Sequence, residues 1–558
     1  MFSKKILIAL LMFVPVLLSA QSSYLIQGGK EEWLLNRLDI RFNPSYLKFS
    51  SIKPYNRKDA VMNVEDIDSL RRISTISLPK HFRLTEVDNY NISSFLMANA
   101  EWSSLKPEYI SKKPVLKHLY KTKANALELK HPDYYLVFNP IIQYQQFKEK
   151  NNSENIFLNS RGLHARGLIQ NKIGFSFYFT ENQERPVSYA TSWVNKYNAV
   201  PGVGFYKLFK TNKGFDYFDI RSSVSWKVAK WMDMQLAYDK NFIGNGYRSL
   251  FLSDFSNNYM FFKINSHFKR FHYQNIFAEM FPFHIPTSMD VLPRKYYRAH
   301  YLNYAATKWL NLGLFEGTMM GKDKLTVGLF NPVMYLQFPG KSGIKDRSYL
   351  GFDIKANILH QFQVYGQLMI DKLKVNDLGD KTWDNRFGYQ LGMKYIDAFG
   401  VRNLDLQFES NRVRPYTYAA NDTLTNYSHY NQPLAHPLGA NFQEYIGIVR
   451  YQPINKLYLQ AKVIGYFQGL DFAMYNMGSN IFGGFNNRLS DVRVRTVDGD
   501  RATCVYMNFL ASFELKQNLF IDASFTKRDY ETVFTGQNNT SFGSVGIRWN
   551  MSRREYDF

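Results

Sequence analysis

Alternation of apolar and polar residues is the dominant pattern of this sequence, and it is clearest in two neighbouring runs, 215–226 and 231–241. In the first run Phe218 falls on one face, while Asp219 and Arg221 fall on the other. Successive side chains of a strand point to opposite faces, so each run predicts a strand with one apolar and one polar wall. A long polar segment follows and the alternation then resumes. This rhythm of strand, short turn, strand and long loop is typical of an outer-membrane β-barrel.

The same alternation predicts about eighteen strands after residue 132, each near the roughly 9–11 residues that a tilted membrane strand needs. The predicted strands are 133–146, 157–168, 173–182, 215–226, 231–241, 257–266, 270–281, 298–306, 311–320, 347–357, 361–372, 386–396, 402–411, 443–451, 457–467, 502–513, 518–529 and 541–551. Their connections alternate between short turns and long loops. Short turns belong to the periplasmic side and long loops to the cell surface, so both barrel ends are expected in the periplasm. The predicted fold class is an all-β transmembrane antiparallel barrel.

The first 20 residues have the pattern of an export signal. Lys4 and Lys5 precede the apolar run 6–18, and Ser19 and Ala20 offer a small-residue cleavage site. This order of positive, apolar and small residues predicts a signal peptide over residues 1–20 and an exported mature chain.

Residues 21–132 alternate only weakly. Two stretches, 66–73 and 91–105, have the spacing of short amphipathic helices. We therefore expect a small mixed or helical N-terminal extension before a barrel domain at 133–558. This extension packs either on the periplasmic side or inside the lumen as a plug, and the sequence leaves both placements open.

Composition agrees with a barrel. The chain of 558 residues has 17% aromatic residues, and its mean hydropathy is −0.35. Aromatic residues suit the two lipid interfaces, and a polar average is compatible with a barrel because the polar half of each strand lies in the lumen. An aromatic-rich soluble β-sandwich is the alternative. The single cysteine, Cys504, excludes a disulfide within the chain and disfavours a cysteine-ligated metal.

The formal net charge of +22 admits several explanations. Solvated loop charge is the simplest, and contacts with lipopolysaccharide phosphates or a basic lumen that attracts anionic polymers are the others. Nucleic acid is not an expected partner, because no recognition motif is present. Arg221, Lys263 and Arg548 fall on the polar faces of predicted strands. We expect them to face the lumen, since Lys or Arg on the lipid face costs about 2–4 kcal/mol near mid-bilayer.

Several strings resemble outer-membrane proteins of Bacteroidota that are related to gliding-motility protein RemB and similar to Wzi-type capsule-assembly barrels. The strings are KNFIGNGYRSLFLSD at 240–254, YYLVFNP at 134–140, KIGF at 172–175 and AVPG at 199–202. The resemblance spans 133–558, and its specific part is confined to about 130–280. It implies a large, non-enzymatic outer-membrane barrel associated with surface polysaccharide or cell-surface motility, and it supplies no catalytic residues.

The loop after the second of the two opening runs is the candidate binding site. It contains Gly244 and Gly246 but lacks the third glycine and the helix of a dinucleotide site. The simplest reading is a tight turn, because glycine readily adopts positive φ. In the functional reading the loop folds into the barrel mouth, where Asn245, Tyr247 and Arg248 offer hydrogen bonds and a stacking face to a sugar.

Enzyme chemistry finds little support in the sequence. The 11 His residues are scattered, with neither a His-Glu-x-x-His motif nor a Gly-x-Ser-x-Gly motif. We predict no catalytic residues, no metal site and no cofactor. A barrel phospholipase assembled from neighbouring strands is a minor alternative.

The prediction is thus a non-enzymatic outer-membrane barrel that binds or organises surface polysaccharide or supports gliding motility. Its expected partners are the outer membrane with its lipopolysaccharide, surface polysaccharide, and the gliding or secretion machinery. The rival prediction is a diffusion channel or specific transporter that uses the same polar lumen.

Overall fold

A computed structural model describes residues 22–43, 48–73, 82–104, 106–209, 214–282, 293–321, 327–336, 346–377, 382–472 and 474–558. The predicted signal peptide, 1–20, lies outside the described residues. The α-helices are α1 (Lys30–Phe42), α2 (Arg57–Ile73), α3 (Glu86–Ala98) and α4 (Ser188–Tyr197). Short 3-10 helices span Pro107–Tyr109, Val327–Phe330, Val375–Asp377, Ala398–Gly400 and Thr423–Thr425. Within the described part of the chain, no helix is long and apolar enough to cross a membrane.

Strands form most of the molecule. In chain order they are β1 (Ile52–Lys53), β2 (Leu127–Lys130), β3 (Tyr134–Glu149), β4 (Ile156–Ile169), β5 (Ile173–Arg185), β6 (Lys207–Phe209), β7 (Gly214–Ala229), β8 (Met232–Asp239), β9 (Phe242–Ile243), β10 (Tyr259–Phe268), β11 (Phe271–Met280), β12 (Lys295–Ala305), β13 (Leu310–Met320), β14 (Asp346–Ile358), β15 (Phe362–Lys372), β16 (Arg386–Tyr395), β17 (Leu404–Val413), β18 (Ser428–His429), β19 (Gln432–Pro433), β20 (Phe442–Ile454), β21 (Leu457–Leu470), β22 (Asp500–Lys516), β23 (Leu519–Thr532), β24 (Gly536–Gln537) and β25 (Thr540–Trp549).

The long strands form one closed antiparallel barrel of 18 strands. Each long strand pairs with the next one along the chain, and the barrel closes where β25 pairs with β3, with Trp549 opposite Ile142. The predicted fold class is therefore confirmed, and each predicted strand overlaps one of the long strands. Closure leaves no long unpaired sheet edge in the part of the wall that the structure describes.

The two faces of the wall differ in polarity, as strand β7 illustrates. Phe218 and Val224 are 54% and 44% exposed on the outer face, whereas Asp219 and Ser225 on the lumen face are 8% and 0% exposed. Neighbouring residues of a strand point to opposite sides, so this apolar outer face is the one that suits a lipid bilayer.

The connections sort by length onto the two ends of the barrel. One end, here the short-turn end, has tight connections such as 230–231, 359–361 and 517–518. The other, the long-loop end, has connections such as 240–258 and 414–441. Strand β3 begins and β25 ends at the short-turn end, because β25 residue Trp549 pairs with Leu519, which directly follows a tight turn.

The N-terminal helices pack on one another around an apolar core and lie at the short-turn end. The core includes Leu35, Val61 and Ile92. Glu31 and Glu32 suit the N-terminus of α1, and α3 begins at a capping box in which Thr85 and Asp88 exchange bonds. That cap explains why α3 covers Glu86–Ala98, whereas the apolar spacing predicted a helix at 91–105.

Charged contacts hold this helical segment to the barrel wall. Arg37 of α1 contacts Asp405 of β17 and lies 3.0 Å from Asp397 in the adjacent turn. Lys30 bonds Glu514 of β22, and Asn91 donates to Gln452 of β20 at 2.8 Å. The helices therefore pack against residues of the wall at the short-turn end.

Two further segments enter the lumen. The insert loop, residues 240–258 between β8 and β10, carries β9, which pairs with β1 of the N-terminal segment. The tail segment, residues 550–558 after β25, runs back inside the barrel, because Ser552 bonds Gln27 near one end and Tyr189 of α4 bonds Tyr556 in the long-loop region. Three separate parts of the chain therefore enter the lumen.

Candidate functional site

A cavity of about 570 Å³ lies inside the barrel, between α1, the insert loop, the tail segment and the wall. Among the described residues, twelve Lys and Arg line it, against six Asp and Glu, so this part of its lining has an excess of six positive charges. Aromatic residues, including Trp33, Tyr178 and Tyr458, also line it. A cavity of this size fits a small ligand, since ligand pockets commonly measure roughly 300–1,000 Å³.

The insert loop is anchored to the lumen wall through its backbone. The N–H groups of Tyr247 and Arg248 donate to the Glu409 carboxylate at 2.6 and 3.1 Å. A Cβ on Gly246 would come within 2.6 Å of Glu409 Oε2, so this position needs glycine for close approach to the wall. Asn245 is only 4% exposed, and its Oδ1 accepts a bond from Ser50 at 3.4 Å.

The tail segment supplies a carboxylate to the same loop. Asp557 accepts hydrogen bonds from the Tyr247 hydroxyl, from Lys462 Nζ at 2.7 Å and from Arg248 Nη1 at 3.2 Å. Arg248 also donates to the Asp557 backbone carbonyl at 2.6 Å. Burial alone would raise the pKa of Asp557, but Arg248 and Lys462 hold that pKa well below its usual range. Two of the predicted sugar-contacting side chains therefore already bind an oxyanion, which belongs to the chain itself.

The three predicted lumen cations lie in different surroundings. Arg221 and Arg548 line the cavity, where Arg221 pairs with Asp219 at 2.8 Å and Arg548 pairs with Asp522 at 2.5 Å. Lys263 is 1% exposed and donates to Asn241 Oδ1 at 3.0 Å, away from the cavity lining. The structure thus brings Tyr247, Arg248, Arg221 and Arg548 to one cavity and leaves Lys263 outside it.

Sequence analysis did not single out four cavity residues that bear on function: Trp33, Lys394, Arg450 and Lys462. The last three occupy inward positions of β16, β20 and β21, so alternation marks them as polar-face residues without showing that they meet. Trp33 gives no such signal, because it belongs to the weakly patterned N-terminal segment.

Lys240, in the insert loop, adds a cation to the long-loop side of the cavity. Its Nζ donates to two backbone carbonyls, those of Gly202 at 2.7 Å and Asp254 at 3.0 Å. Burial, with the nearby charges of Arg221 and Arg554, lowers the pKa of Lys240 to about 8. Among the residues that the structure describes, no cluster of three or more His, Cys, Asp or Glu side chains has the arrangement of a metal site.

No protein-family model and no curated protein matches this sequence. Among solved structures, the chain is similar to Wzi of Escherichia coli, described as an outer-membrane protein involved in group 1 capsule assembly and a carbohydrate-binding β-barrel. The two are 12% identical over 96% of this chain and 100% of that chain, with a TM-score of 0.56. OprD of Pseudomonas aeruginosa is 10% identical over 74% of this chain and 94% of that chain, with a TM-score of 0.40. OccAB2 of Acinetobacter baumannii is 10% identical over 74% and 98%, also with a TM-score of 0.40. The barrel therefore shares its fold with Wzi.

Proposed function

We propose that this chain is an outer-membrane barrel that binds surface polysaccharide without covalent catalysis. In this proposal the short-turn end faces the periplasm, the long loops face the cell exterior, and the outer face contacts lipid and lipopolysaccharide. The observation that carries it is the cavity, where cations and aromatic rings combine in a lumen filled by the chain itself. The fold shared with Wzi, a carbohydrate-binding barrel by its description, supports the same function.

Binding at this site would combine two interactions. Lys and Arg side chains form charge-assisted hydrogen bonds with acidic groups of the glycan, and Trp33 and Tyr247 offer ring faces. Tyr247 and Arg248 line the proposed site and are held there by Asp557, and Asn245 holds the insert loop to the N-terminal segment. A role in gliding motility, with motility or secretion proteins as partners, is the second form of the proposal and rests on the resemblance to RemB-related barrels.

The first experiment compares a strain that lacks this chain with its parent for cell-attached and released polysaccharide, and scores spreading on the same agar plates. We expect polysaccharide to shift from the cells into the medium, and complementation with the intact gene to restore it. Normal attachment with lost spreading would instead assign the chain to motility. If neither property changes, the polysaccharide proposal is wrong.

A second measurement addresses the channel alternative. Because the N-terminal helices, the insert loop and the tail segment all occupy the lumen, we expect the purified barrel to show no large, steady conductance in a planar bilayer. A stable open pore would contradict the proposed binding role and favour transport.

A further inference from the structure

Five of the six acidic residues of the cavity are matched with cations, but the cations are not all matched with acids. The matched pairs are Asp219 with Arg221, Asp405 with Arg37, Glu32 with Lys53, and Glu555 and Asp557 with Lys462. By contrast, no carboxylate oxygen of the described residues lies within 4.0 Å of the charged nitrogens of Lys394 or Arg450. These two side chains are the open cation pair of the cavity.

The two cations of the open pair lie on β16 and β20, the strands on either side of β17. Lys394 of β16 is directly opposite Gln407 of β17, and Gln407 Oε1 accepts a hydrogen bond from Arg450 of β20 at 3.1 Å. Lys394 donates to Gln363 Oε1, also at 3.1 Å. Both cations line the cavity. Among the described residues, each donates a side-chain hydrogen bond to one neutral amide. An ammonium has three donors and a guanidinium five, so most of their donor capacity is left for another partner.

Charges of one sign are held together here at a cost. Lys53 and Arg450 each repel Lys394 more strongly than Asp39 or Glu32 attracts it, and Lys394 is only 9% exposed. Arg450 is attracted by Asp405, but that carboxylate already pairs with Arg37. A buried cation without an anion is destabilising, whereas a bound oxyanion would neutralise the pair and form charge-assisted hydrogen bonds. Cations that lie in a cavity with no carboxylate in direct contact are candidates for a ligand site.

An aromatic ring beside the open pair indicates what carries the oxyanion. Trp33 of α1 lines the same cavity, and its Nε1 donates to Asp405 at 3.0 Å. Asp405 is the direct cross-strand partner of Arg450, so the indole is hydrogen-bonded to the residue that faces Arg450 across the ladder. A half-buried aromatic face beside fixed polar groups suits an amphipathic sugar ring better than a bare inorganic ion.

We propose that Lys394 and Arg450 bind the carboxylate of an acidic sugar, with Trp33 beside the ring, in the lumen cavity. The volume of about 570 Å³ accommodates a unit of monosaccharide or disaccharide size. This inference rests on the proposed polysaccharide function and names its ligand class as uronic-acid-type saccharide.

The test uses the full-length purified barrel in detergent and three probes: glucuronate, glucose and inorganic phosphate, titrated by calorimetry at low salt. We expect glucuronate to bind and glucose not to bind in the same concentration range. The double variant Lys394→Gln with Arg450→Gln should bind glucuronate at least about tenfold more weakly, because it loses two charge-assisted contacts. Heat-modifiable migration in gel electrophoresis reports whether each variant is folded.

The matched control is Lys263→Gln. Lys263 is also a buried lumen lysine that donates to one amide oxygen, but it lies away from the cavity lining. It should retain glucuronate affinity within about twofold. An equal loss in control and double variant would overturn the assignment of the site.

The wild-type titrations also decide the proposal, even if a variant does not fold. Absence of glucuronate binding overturns it, and so does phosphate binding that is as tight as glucuronate binding, since the site would then respond to charge alone. If cells retain polysaccharide through this chain but glucuronate does not bind, this inference fails while the proposed function stands. If glucuronate binds but deletion leaves polysaccharide attachment unchanged, the proposed function fails while the site stands.

Discussion

Two clusters of Lys and Arg lie in the lumen, and they differ in whether a carboxylate of the chain pairs with them. In the closed cluster, Arg248 and Lys462 surround Asp557 of the tail segment, which satisfies them from within the chain. In the open cluster, the side-chain acceptors of Lys394 and Arg450 among the described residues are amide oxygens. The comparison teaches that a barrel can use one kind of residue for two purposes. The closed cluster stabilises the folded lumen, and the open cluster keeps its hydrogen-bonding capacity for a ligand.

The largest expected effect comes from breaking the closed cluster with Asp557→Asn. The change leaves buried Arg248 and Lys462 without their main carboxylate, so we expect a loss of about 3 kcal/mol of unfolding free energy. Denaturant unfolding in micelles, followed by tryptophan fluorescence, measures this loss. Asp557→Glu, which keeps the charge, is the control. Equal stability of wild type and Asp557→Asn would show that the tail segment does not stabilise the lumen.

The same cluster has a defined pH dependence. The pKa of Asp557 is lowered in the folded chain, so its stabilisation is fully present above the unfolded value of about 3.9 and is lost as the pH falls below it. Wild-type stability should therefore decrease below about pH 4, and Asp557→Asn should show a smaller decrease over that range.

His429, a buried histidine at the long-loop end, provides a second test, because its effect on stability falls in a different pH range. Burial lowers the pKa of His429 to about 3, and its ring accepts from the Phe281 N–H at 3.1 Å while Nε2 contacts the Asn258 carbonyl at 3.0 Å. Because the unfolded pKa is about 6.5, the unfolded state binds more protons between these values, and stability falls as the pH is lowered. We expect about 2 kcal/mol to be lost between pH 7 and pH 5.

The His429→Gln variant should remove that loss, and unfolding midpoints at pH 7 and pH 5 measure it. His131→Gln is the control, because the His131 side chain is 52% exposed rather than buried. If His429→Gln retains the full decrease between pH 7 and pH 5, another group is responsible and the two pH ranges do not separate the closed cluster from the His429 site.

The two faces of the barrel wall could be predicted from local alternation, because the polarity of each residue in a strand such as β7 indicates the face on which it lies. The faces of Phe218 and Asp219 follow directly from their neighbours in sequence. The contents of the lumen could not be predicted in this way. Asp557 meets Arg248 at a separation of 309 residues, and both lie in segments without strand periodicity.

The open cluster lies between these two cases. Alternation indicates that Lys394 and Arg450 are polar-face residues, but their meeting depends on the register between β16, β17 and β20. A shift of one residue in either ladder would turn one of the cations toward the outer face. Sequence therefore predicted the lumen-facing character of such residues, and the register supplied the site.

The smallest expected effect comes from converting the open cluster into a closed one with Gln407→Glu. The amide oxygen that accepts from Arg450 at 3.1 Å becomes part of a carboxylate, which takes the role that Asp557 has in the closed cluster. Because charged hydrogen bonds are stronger than neutral ones, we expect a gain of about 1 kcal/mol in unfolding free energy and at least tenfold weaker glucuronate binding. Gln537→Glu adds the same charge at an exposed position of the short strand β24 and should change neither property. Unchanged glucuronate affinity in Gln407→Glu would contradict the view that the two clusters differ only in whether the chain supplies the anion.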